Sequence, residues 1–122
     1  MATKQEFLER ARQKKVVEFT TSDGFKCNVM RMSDRELAEY ELYFLDENQE
    51  VIVERLKESR RVLVQRCIID ESGKQMFSES DLEMLAESDC LLIKEIHDFC
   101  RQLCGLDKKK DKSKEEEETR KN

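Results

Sequence analysis

Three side chains near the end of the sequence, His97, Cys100 and Cys104, have the types and the spacing to bind a soft metal. At i, i+3 and i+7 a helix brings them to one face, where a zinc ion needs a fourth ligand from elsewhere to close its site. The same stretch also reads as apolar packing, since Ile96, Phe99 and Leu103 alternate with these positions on a helical period. A Cys-His nucleophile pair finds less support, because the single histidine has no orienting partner in the sequence and no glycine-rich loop supplies an oxyanion hole.

A second candidate is the acidic run Ile68 to Leu85, "IIDESGKQMFSESDLEML". Placing Gly73 at the sixth position of an EF-hand loop puts Glu79 at the twelfth, but Ile68 then falls at the first, where a carboxylate is required, and Gln75 at the eighth, where an apolar residue is required. Without its first ligand the run reads as a turn: "DESGK" leaves one helix, Met76 and Phe77 fold back on the core, and Ser78 caps the next helix with Asp81 at its third position. No carboxylate pair stands out as a general acid and base, and neither phosphate-binding glycine motif is present. The expectation is a protein that is not an enzyme and has no cofactor.

The elements that position these residues are read from period and caps. Thr3 with Glu6 opens a short helix through Phe7, Leu8 and Ala11. Val17 and Phe19, then Phe25, Cys27 and Val29, alternate around "TSDG", predicting a β-hairpin near 16–31 with Gly24 in its turn. Ser33 with Glu36 opens a helix whose apolar face is Leu37, Tyr40, Phe44 and Leu45, ending about Leu45. "DENQE" reads equally as a linker or a solvated helical turn. From Val51 to Ile69 the stripe Ile52, Leu56, Leu63 and Cys67 predicts one long helix. Ser88 offers a cap for a last helix with Leu91, Leu92, Ile96, Phe99, Cys100 and Leu103 on its apolar face, stopped by Gly105 and Leu106 in the Schellman pattern.

The whole is predicted to be mainly α: a single small helical domain over 1–106 with an N-terminal β-hairpin, followed at 107–122 by a charged tail with no apolar side chain, expected to be disordered and mobile. A formal net charge of −5 argues against nucleic acid as a partner. No apolar run approaches the roughly 18 residues a membrane span requires, and the first residues lack the apolar core of a signal peptide, so a cytoplasm is expected. Five cysteines without a C-x-x-C pair then read as small buried thiols in a reducing compartment. What remains is adhesion to another protein. Tyr40, Tyr43 and Phe44 wrap around more than one face of their helix; they either form a partner-binding face or complete the core against the hairpin.

The order of parts resembles a known family. A hairpin ending "VMRMSDRELAEYE", a helix running into "RCIIDESGKQMFSESDLEML", then "ESDCLLIKEIHDFCRQLCGL" and a polar tail ending "KN" are similar to the tail assembly chaperones of long, non-contractile-tailed bacteriophages. The family pattern is carried most specifically between Arg66 and Leu106 by Asp70, Gly73, Phe77, Asp81, Leu82, Leu85, Ser88, Leu103 and Gly105, with Cys104 in place of the usual asparagine. The resemblance implies a protein of the infected host's cytoplasm, absent from the finished virion. It implies binding of the tape measure protein, a long helical and apolar client, until the major tail tube protein polymerises around it. It also implies a longer frameshifted form that recruits tube subunits, for which the run Lys108 to Lys110 is a candidate slippery site. Homo-oligomers are compatible with coating a long client. The competing expectations are a small structural tail-completion or head-tail joining protein of the virion, and a metal-dependent regulator built on His97, Cys100 and Cys104.

Overall fold

The structure, a computed structural model, describes residues 1–106. The tail expected to be mobile, 107–122, lies outside the described residues. Helices α1 (Lys4–Arg12), α2 (Asp34–Tyr43), α3 (Val53–Leu56), α4 (Ser59–Cys67), α5 (Leu82–Ala86) and α6 (Cys90–Leu103) accompany an antiparallel sheet of β1 (Val16–Thr20), β2 (Lys26–Met30) and β3 (Ile68–Ile69) in that order. About half of the described chain is helical, so the helical majority and the hairpin are both present, as part of a small α/β domain.

Local chemistry explains most helix starts. The Thr3 hydroxyl accepts the Glu6 amide at 3.1 Å, and at Ser33 the full reciprocal box forms, with the Ser33 amide donating to Glu36 Oε1 at 3.0 Å and the Glu36 amide to Ser33 Oγ at 3.2 Å. Asp81 Oδ2 accepts the Ser78 amide at 2.8 Å ahead of the short 3-10 turn Glu79–Asp81 that feeds α5. Gly105, at φ +76°, sends its amide to Gln102 O while Leu106 sends its own to Arg101 O at 2.9 Å, the two bonds of a Schellman stop. Ser88 has a different role from the one expected: its hydroxyl donates to Met84 O and closes α5, and Asp89 caps α6 by accepting the Leu92 amide.

The single long helix expected between Val51 and Ile69 does not form. Its stripe skips a turn between Leu56 and Leu63, and the helix breaks at Lys57 and Glu58 into α3 and α4. α4 ends at Cys67 because Ile68 turns extended and pairs with Val29, and Ile69 with Asn28. Two buried β-branched residues thus extend the hairpin sheet by a strand. α2 likewise stops at Tyr43, short of Leu45, which bridges to Val51.

Three loops repeat one design. In 21–25, 46–50 and 70–74 the first residue's amide donates to the fifth residue's carbonyl (2.8, 2.8 and 2.7 Å), and the fourth residue's amide to the first carbonyl. A side-chain oxygen at the first position, of Thr21, Asp46 or Asp70, accepts the fifth residue's amide. The fourth residue has positive φ: Gly24 at 91°, Gln49 at 63° and Gly73 at 85°. This is the three-residue hairpin loop with a left-handed fourth position. "DENQE" is therefore a hairpin turn, and so is the stretch that resembles a calcium loop: Asp70 Oδ1 accepts the Ser72 and Lys74 amides and the Ser72 hydroxyl. Only Gln49 carries a Cβ at the left-handed position. Gln49→Gly is expected to raise the unfolding free energy by about 0.5–1 kcal/mol, read as a higher urea midpoint.

The core lies between one sheet face and the helices. Cys27 and Val29 point into it from β2, while Lys26 and Asn28 face water. α4 lies at the centre, with Val62, Leu63, Val64 and Cys67 each at most 2% exposed, packed chiefly on α6 and also on α5 and α2. Phe19 of β1 stacks on Phe99 of α6 with centroids 4.5 Å apart. Glu95 of α6 accepts both the amide and the hydroxyl of Ser22 at the hairpin tip. Met76 and Leu91, expected in the core, are exposed, while their neighbours Phe77 and Leu92 pack inward.

Candidate functional site

The structure separates the three aromatic rings. Tyr40 is 6% and Phe44 9% exposed, in edge-to-face contact at 5.1 Å, so both complete the core and the partner-face reading is corrected for them. α4 covers the side of α2 on which they lie, and that contact depends on tertiary packing that a helical period does not encode. Tyr43 alone stays at the boundary. Its hydroxyl donates to Glu58 Oε2 at 2.5 Å, which pushes the phenol pKa up, and the Arg55 guanidinium sits 5.0 Å above its ring while donating to Tyr43 O.

On the segments that carry Tyr43 and Arg55, four apolar side chains are exposed to water. Leu42, Val51, Val53 and Leu56 are 62%, 55%, 61% and 49% exposed. The two arms of this lobe are held together by the Leu45–Val51 bridge and by the Ile52 amide, which donates to Phe44 O at 2.8 Å. Single exposed apolar residues are ordinary, and four on one braced lobe exceed that pattern. The signal in the sequence was the dense run Val51, Ile52, Val53, which contains more apolar residues than one helical stripe can bury.

The thiols also sort differently from expectation. Cys67 and Cys100 are fully buried, and Cys67 Sγ lies 4.0 Å from Cys104 Sγ. Cys104 therefore turns toward a thiol of α4 and away from His97. The Cys67 thiol pKa is raised chiefly by its contact with Cys100, and that of Cys104 chiefly by its contact with Cys67, with burial adding to both. Cys90 is exposed, which corrects the reading of all five as buried. Among the described residues, no group of three or more His, Cys, Asp and Glu side chains converges to hold a metal ion. Among them also, no helix is long and apolar enough to cross a membrane.

His97 pairs with Asp98 through Nδ1 at 3.0 Å, yet burial outweighs the carboxylate and lowers its pKa. The folded state then prefers the neutral ring, so this contribution is whole above the ordinary imidazole value of about 6.5 and is lost as pH falls from there through the folded value. Asp23 and Asp70, held down chiefly by hydrogen bonds from Thr21 and Ser72, act in the same direction at lower pH. Urea midpoints are expected to fall between neutral pH and about 5, and His97→Gln should flatten that part of the profile.

No protein-family model, curated protein or solved structure matches this chain.

Proposed function

We propose that this protein is a tail assembly chaperone of long, non-contractile-tailed phages, which binds the tape measure protein in the host cytoplasm and helps bring tail tube subunits to it. The observation that carries the reading is the exposed lobe of Leu42, Val51, Val53 and Leu56, taken with the family-like run from Arg66 to Leu106. A long helical client that is apolar along its length needs partners that cover apolar surface without closing around it. An exposed apolar lobe on an acidic body does that. Each contact of standard size removes about 1,200–2,000 Å² from water, and copies side by side turn weak contacts into firm retention. The net charge of −5 keeps the loaded complex in solution. In this reading the work is binding, with no reaction catalysed.

The test is affinity capture of a tagged full chain expressed during tail assembly, followed by mass spectrometry. Recovery of a very large helical protein, with or without the tube subunit, is the expected result. Recovery of mature capsid or tail parts alone would replace the reading with a structural tail-completion or head-tail joining role.

A further inference from the structure

A groove of about 630 Å³ runs between α2, α4 and the segment that follows the third hairpin turn, with Glu39, Arg66, Met76, Phe77 and Glu79 on its walls. Arg66 is its unusual member. The side chain is 19% exposed and pairs with Glu39 Oε2 at a loose 3.8 Å, and among the described residues its buried Nε has no hydrogen-bond partner. A guanidinium has five donors in a planar fork matched to two carboxylate oxygens, and a buried donor left unpaired is disfavoured.

The rim determines which carboxylate can enter. Glu36 and Asp81 are engaged by the Ser33 and Ser78 amides, but Glu39 and Glu79 face the opening and oppose a bare anion. Met76, 42% exposed, supplies an apolar contact beside them. We infer that the groove is a docking site for a helical client segment in which one Asp or Glu side chain is flanked, a turn away on each side, by Lys or Arg. The carboxylate displaces Glu39 from Nη1 and pairs with the Arg66 guanidinium, which turns its Nε into the groove to meet it, and the flanking cations meet Glu39 and Glu79. This inference rests on the chaperone reading for the client's identity, and the charge pattern itself is tested without that client.

The probe is a synthetic amphipathic helical peptide with one glutamate flanked by lysines four residues before and after, compared with the same peptide carrying glutamine and with inorganic phosphate. The readout is the Arg66 Nε–H resonance of the full chain. The glutamate peptide is expected to move that signal downfield and slow its exchange, and to bind at least about tenfold more tightly than the glutamine peptide. Arg66→Met should abolish the difference. Because the peptide pair leaves the protein unchanged, an unstable variant does not decide the matter. Equal binding of both peptides, or an equal shift with phosphate alone, overturns the inference. If the peptides discriminate but no tape measure protein is captured, the docking site stands and the chaperone reading falls. If the client is captured equally by wild type and by a folded Arg66→Met variant and the peptides do not discriminate, the reverse holds.

Discussion

Leu63→Ala is expected to lower the unfolding free energy by about 3 kcal/mol and the melting temperature by roughly 12–24 °C. Leu63 has no exposed surface and sits midway along α4, a helix buried on most sides. Removing its branched end leaves a cavity bounded by other fully buried side chains, and neighbours held by both sheet and helices cannot collapse into it. A small domain holds only about 5–15 kcal/mol in total. Chemical denaturation of the variant beside Leu42→Ala gives the internal control, since the exposed position should change stability by no more than about 0.5 kcal/mol. Equal effects at the two sites would mean that α4 is not the centre of the fold.

The second large effect concerns binding alone. Leu42→Gln together with Leu56→Gln should reduce retention of the captured client by at least about tenfold, because truncation of even a few central apolar contacts costs more than 1 kcal/mol each. Both positions are helical and about half or more exposed, and glutamine is a good helix former, so the melting temperature should stay within a few degrees of wild type. Unchanged retention in co-purification, with the fold intact, would remove the lobe from the binding surface.

Comparison of these elements with the expectations shows where sequence was legible. Thr3, Ser33, Ser78 and Gly105 behave as read because a cap is a bargain among a few neighbouring residues, complete within one turn. The hairpin was legible for the same reason. β3 was not, because Ile68 and Ile69 continue a plausible helical run and become strand only when β2 offers an unpaired edge. The turn at 46–50 was hidden by its Gln49, where its two siblings have glycine. At the candidate site, the Cys67–Cys104 approach joins residues 37 positions apart. The burial of Tyr40 and Phe44 likewise depends on α4. The exposed lobe and the Arg66 groove are surfaces assembled from several segments, and no local period announces them.

The grip of α6 on the hairpin has a consequence for the order in which the chain folds. The β1–β2 hairpin is local and closes within microseconds. Its inward residues, Cys27 and Val29, gain cover only from parts made later, and its tip is held by Glu95, 73 residues beyond Ser22. The Phe19–Phe99 stack and the Ser22–Glu95 bonds wait for the last helix, so their formation requires closure of most of the length of the domain. A nascent chain that ends before Cys90 carries a hairpin whose Phe19 and Ser22 still lack their partners on α6. Such fragments should therefore be cleaved by proteases faster than the finished domain.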